Sequence, residues 1–171
     1  SNVEINPYVM FAWQRLCELK SDDTLFSTPL DVTLLKNSLE DIKKIMFIKD
    51  VNVMMEALTT IFSKCGIIFS VVRNFNKAPV QGFIKETAKG SIILCMTIRN
   101  AFADIFWFTL FHEIAHIING DYKDAMIDYE KHSNNKHELA ADNYARNQLI
   151  PDEKYQDFVE KGVFSPINIE R

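Results

Sequence analysis

The chain is 171 residues long, 47% hydrophobic and 25% charged, with a formal net charge of −4. That length corresponds to about one domain, and 13 Phe, 5 Tyr and 2 Trp carry enough apolar area to exclude a disordered chain. A free-standing nucleic-acid binder is disfavoured as well, since 19 basic residues face 23 acidic ones and phosphate binding takes clustered Lys and Arg.

Val9, Ala12, Trp13, Leu16 and Leu19 recur at three- and four-residue steps and predict a helix from Asn6 to Lys20, broken by Ser21-Asp22-Asp23. Thr28 before Pro29 predicts the cap and first position of a second helix, with Val32, Leu35, Leu39, Ile42 and Met46 inward. A third runs from Asp50 to Cys65, with Val51, Met54, Met55, Leu58, Ile61, Phe62 and Cys65 inward and Gly66 as its stop. Methionines at that spacing read as core packing rather than a ligand surface. A β-rich run at Ile67 to Val72 follows, then turn-rich Asn74 to Pro79, then strands Gln81 to Thr87 and Ser91 to Ile98 joined through Lys89-Gly90. Ile92 to Met96 is apolar on both faces, which puts the second of these strands inside the sheet. Helices resume at Ala103 to Asn119, ended by Gly120, and at Asn135 to Leu149, and Pro151 restarts a short one that Gly162 closes. No repeat or long linker divides the pattern, so a single α+β domain over residues 1–171 is expected. The opening Ser1-Asn2, without Met, has the look of a cleaved tag and predicts a fragment of a longer protein.

Cys17, Cys65 and Cys95 are odd in number, far apart and set among apolar neighbours, as expected of reduced, buried thiols in a cytoplasmic protein. The amino terminus lacks signal-peptide organisation. Ala101 to Ile118 is the most hydrophobic stretch, yet it carries Asp104, His112, Glu113 and His116. Those groups at mid-span are costly in lipid, so the stretch reads as a buried helix.

That helix contains His112-Glu113-Ile114-Ala115-His116, an H-E-x-x-H pattern. At ~100° per residue the two histidines lie ~40° apart and one turn from each other, so both imidazoles reach one ion. Glu113 projects beside that face, where a general base meets a metal-activated water. A chance match in a chain of this composition is expected at roughly 0.6%. The bland alternative, two core histidines satisfied by hydrogen bonds, has to account for three ionisable groups in the most apolar helix, and buried ionisable groups need partners.

A catalytic zinc site usually takes a third protein donor. The extended pattern with a further Gly and His fails, because Asn119 and Tyr122 stand at those places. Glu138 is the best candidate. It opens Glu138-Leu139-Ala140-Ala141-Asp142, with two carboxylates one turn apart and small alanines (Ala140, Ala141, Ala145) that favour close helix packing. Asp142 is positioned to accept the second N–H of a ligand histidine and fix its tautomer. His132 and His137 are the rival donors, and a solvated acid at a helix N-terminus is the plain reading of Glu138.

The runs Phe-Thr-Leu-Phe-His-Glu-Ile-Ala-His-Ile-Ile and Glu-Leu-Ala-Ala-Asp-Asn-Tyr-Ala-Arg-Asn-Gln-Leu-Ile-Pro, between Asp104 and Pro151, resemble the ImmA/IrrE family of bacterial metallopeptidases. The resemblance implies a zincin-like fold and a cytoplasmic zinc (Zn2+) metalloendopeptidase that processes or antagonises a helix-turn-helix repressor. Carried over by position, it implies metal ligands at His112, His116 and Glu138 and catalysis at Glu113. The chain departs from many relatives at Ala140, where they have a second acid. No helix-turn-helix is legible here, so this segment is expected to bind protein or peptide substrate, without nucleic acid or membrane.

Tyr129, His132, His137 and Tyr144 are polar residues near the site in sequence, and none is assigned to stabilising the oxyanion. The hairpin ending in Ser91 to Ile98 is the expected groove wall for an extended substrate, and the polar segment Asp121 to Asn134 the expected flap. The alternative to a peptidase is a non-proteolytic, metal-containing sensory or interaction module with its fourth coordination position capped, for instance by His132 or His137. A third reading, purely structural, needs no metal.

Overall fold

The computed structural model describes residues 6–21, 28–73, 82–98, 103–121 and 135–161. Asn6 opens α1 (Pro7–Lys20) by accepting the N–H groups of Tyr8 and Val9, and Asp50 opens α4 (Val51–Lys64) in the same way through Asn52 and Val53. Between them lie two short helices, α2 (Val32–Asn37) and α3 (Leu39–Ile45), where the sequence pattern predicts one. The break falls at Ser38, whose hydroxyl donates to the Leu34 carbonyl at 2.8 Å, a back-bond of the kind that bends helices.

Thr28 and Pro29 do not open that helix. Asp31 is its cap, accepting the Leu34 N–H at 2.8 Å. Residues 28–31 instead run as a bridge, with Leu30 N–H donating to the Gly90 carbonyl and Asp31 N–H to that of Cys65.

The sheet has strand order β1-β3-β2, with β1 at Ile67–Arg73, β2 at Gly82–Glu86 and β3 at Ile92–Ile98. β3 is the inner strand, buried from Ile92 through Thr97, as its uniformly apolar sequence indicates. It pairs parallel with β1 and antiparallel with β2. Among the described residues β2 pairs with β3 alone, so its outer side is an edge.

Alternation along β3 feeds two cores. Ile92, Leu94 and Met96 join the larger one, with Leu35, Leu58, Phe62 and the inner face of α5 (Ala103–Asn119). Ile93 and Cys95 join the smaller one under α1, with Trp13, Cys17, Val72 and Phe83. Trp13 sets the seat of α1, donating its indole N–H to Thr97 Oγ1 at 3.1 Å and meeting Phe83 edge-on with centroids 5.9 Å apart. Leu19 and Ala12, placed inward by their spacing, face solvent, because Trp13 and Cys17 define a narrower stripe. Val51 is likewise exposed at the first turn of α4. All three cysteines are free and buried.

The last elements among the described residues are α6 (Asn135–Leu149), packed on α5, and α7 (Asp152–Lys161). Helices at both ends with a small sheet between make an α+β fold. No helix among the described residues is long and apolar enough to cross a membrane.

Glu18 ties α1 to the edge strand, accepting from Lys85 Nζ at 2.6 Å and from Arg15 at 2.8 Å. The Lys85 hydrogen bond, with help from Arg15, holds its carboxyl below the ordinary carboxylate range. A depressed acid stabilises the fold above its ordinary value and loses that contribution as pH falls through the depressed one. Replacing Lys85 by Met is therefore expected to cost about 0.5–1 kcal/mol at neutral pH. It should also flatten the acid limb of a stability–pH curve measured by urea unfolding.

Candidate metal centre

α5 buries Trp107, Leu110, Phe111, Ile114, Ala115 and Ile117. That burial fixes its rotation and leaves His112, Glu113 and His116 at the border of the core, each partly exposed. Facing it, α6 buries Ala141 and Ala145 completely, and methyl-sized side chains there let the helices approach closely. Ala140, expected at the same contact, is exposed. Glu138 and Asp142, one turn apart on α6, reach back to His112.

Three donor atoms converge. The Nε2 atoms of His112 and His116 are 3.0 Å apart, and Glu138 oxygens lie 3.3 Å from the first and 3.6 Å from the second. Four ligands about 2.0–2.1 Å from a tetrahedral zinc ion are spaced about 3.3 Å from one another, so the donor set has the size of that coordination shell. His112, His116 and Glu138 form a group able to hold a metal ion.

The outer nitrogens explain why. His112 Nδ1 is 2.8 Å from Asp142 Oδ1, and His116 Nδ1 is 2.7 Å from Asp121 Oδ1. Carboxylates only accept, so each Nδ1 carries a proton and Nε2 is left as the ring atom that can offer a lone pair to a metal. Two imidazole lone pairs and a carboxylate oxygen then point at one place. A cation placed there would satisfy all three donors at once.

Asp121 was not singled out by motif reasoning, which took it for the start of a polar connection. Gly120, at φ +73°, turns the chain back after α5, a conformation that side-chain-bearing residues rarely adopt. The Asp121 side chain, 6% exposed, then meets both His116 and His137 Nδ1, the latter at 3.0 Å from Oδ2. The sequence held a signal: an acid just beyond a helix C-terminus opposes the helix dipole unless cations or N–H groups offset it. His137 thus turns its Nδ1 to Asp121 and stands outside the donor group.

Glu113 lies on the sheet side of α5, with its carboxyl against Gly82 of β2. Burial pushes that carboxyl up to about 7, Glu138 and Asp121 adding to the rise and His116 opposing it. A dication nearby favours its ionised form. Phe108 stacks obliquely on His112, with ring centroids 6.5 Å apart. Tyr144 is half-buried against the main core, where burial raises its phenol pKa. Tyr129, His132 and the rest of the expected flap, residues 122–134, lie outside the described residues.

Comparison with family models places a match at residues 104–163, to Peptidase_M78, the IrrE N-terminal-like domain. That segment contains His112, Glu113, His116, Glu138 and Asp142, and the match agrees with the ImmA/IrrE resemblance of its motifs. Comparisons with curated proteins and with solved structures returned no match.

Because Asp121 is nearly sealed from solvent while the Asp142 side chain is 53% exposed, water can replace Asp142 but not Asp121. Asp121→Asn is expected to weaken zinc binding about 10–100-fold, and Asp142→Asn by less, in competition titrations against a chromophoric chelator.

Proposed function

We propose that the chain is a zinc-dependent metalloendopeptidase. In this reading His112, His116 and Glu138 are the ligands, Asp121 and Asp142 fix the two imidazoles, and Glu113 is the general base. The observation that carries it is the convergence of three inward-facing lone pairs beside one further acid. The family match over residues 104–163 gives the reaction class its direction.

Zinc bound there supplies a Lewis acid for the scissile carbonyl and for ionising the attacking water near neutral pH. The chain's own work is done at Glu113. Its carboxylate takes the proton of that water during attack and passes it to the leaving amine, and its partial burial keeps bulk water from competing for the proton. His137 lies outside the donor group among the described residues, which supports a coordination position left for water.

An extended peptide fits the outer side of β2 by strand addition. The hairpin expected as the groove wall comprises β2 and β3; β3 is paired on both sides, so among the described residues β2 is the strand of that hairpin that presents an edge beside Glu113. We infer a cytoplasmic role in transcriptional regulation, with a helix-turn-helix repressor as the substrate or regulated partner.

The test is incubation of zinc-loaded protein with a helix-turn-helix repressor from its own genome. The parent is expected to cut the repressor, and Glu113→Gln to keep its zinc while losing about 10²–10⁴-fold in rate. Equal cleavage by the Gln variant removes Glu113 from the reaction. An uncut repressor that still binds the zinc-loaded parent turns the assignment to the interaction module.

A further inference from the structure

Outside the histidines and acids, Gly82 of the amino-terminal half comes up against Glu113, and it does so by having no side chain. A Cβ built on Gly82 would stand 2.6 Å from Glu113 Cγ and closer still to Cδ and Oε1, well inside van der Waals contact. The constraint is one of space. Gly82 is not among the glycines with positive φ, so the backbone there suits any residue. Glycine is otherwise a poor choice within a strand, where it weakens pairing and commonly marks a close approach by another group.

The register sharpens the point. Gly82 is the first residue of β2 and pairs across to Met96, whose side chain is in the main core, while the next residue, Phe83, faces α1. Position 82 therefore belongs to the α5 side of the sheet, where a side chain would project between β2 and the active helix. Glu113 occupies that volume instead.

We propose that Gly82 is a positioning residue for Glu113, its bare Cα forming the seat that sets the carboxyl's distance from the donors on α5 and α6. The catalytic half of this inference rests on the peptidase reading above, whereas the seat itself does not. A glutamate has three rotatable bonds and would otherwise sample several staggered positions. Contact with the strand backbone on one side and the helix on the other favours one of these over the rest. An added methyl at position 82 leaves the fold a simple escape, because the far end of Glu113 can swing away. The expected lesion is therefore a displaced base in an intact, metal-binding protein.

The experiment is Gly82→Ala in the full chain, loaded with zinc. Zinc affinity is expected to stay within about threefold of the parent. Cleavage is expected to fall about 10²-fold or more in kcat, with KM nearly unchanged. A crystal structure of the variant should show the Glu113 carboxyl moved off β2. Parental kcat in the variant, or a structure in which the strand shifts and the carboxyl stays, overturns the proposal. Should alanine at position 82 prevent folding, Gly82→Ala combined with Glu113→Ala decides: the seat predicts that the double variant folds and binds zinc, and a double variant that also fails refutes it. Where the parent cleaves nothing, the peptidase reading falls, while the crystallographic comparison still tests the seat.

Discussion

Three donor atoms crowded around one point are the constraint on which the pairing of α5 with α6 turns. Asp142 and Asp121 each draw a proton to the outer nitrogen of a histidine, and this forces the inner nitrogens to face one another across 3.0 Å. Glu138 adds a third acceptor from another helix. The donors of one possible metal site thus come from both helices, so a cation held there would couple its binding to the mutual packing of α5 and α6.

The scaffold keeps the two helices in place from beneath. α5 is apolar around most of its circumference because it lies between the sheet and the helices α2 and α6, and a helix so embedded cannot rotate without exposing Trp107, Leu110, Phe111 or Ile114. Its polar side chains are therefore aimed by the burial of their neighbours. On the far side of the sheet, α1 is anchored by the Trp13 indole and by the Glu18–Lys85 pair, which steadies the edge strand that runs past Glu113.

How much of this was legible in the sequence varied with the physics involved. The bounds of α5 and α6 follow from apolar periodicity and from Gly120, both local signals, and the inner position of β3 follows from its apolar residues on both faces. The split of α2 from α3 did not show, because the apolar spacing continues through Ser38 and only the hydroxyl's back-bond reveals the break. Parallel pairing of β1 with β3 is a long-range choice that short-range patterns do not encode. At the site, the spacing of His112 and His116 placed them on one face, and Glu138 with Asp142 stood out as paired acids on a helix lined with small residues. Asp121 was hidden because its role depends on a turn that brings it back over the helix it follows. Gly82 was hidden for a different reason: a missing side chain leaves no motif.

The division of labour between the halves of the chain also accounts for where kinship is readable. Every donor, acid and imidazole of the centre lies between His112 and Asp142, and the family match begins at residue 104. The first hundred residues contribute surfaces to lean on and one patch of naked main chain. Many different apolar sequences can furnish such a foundation, whereas the spacing of His112, His116 and Glu138 leaves little choice of residue at the site it supports.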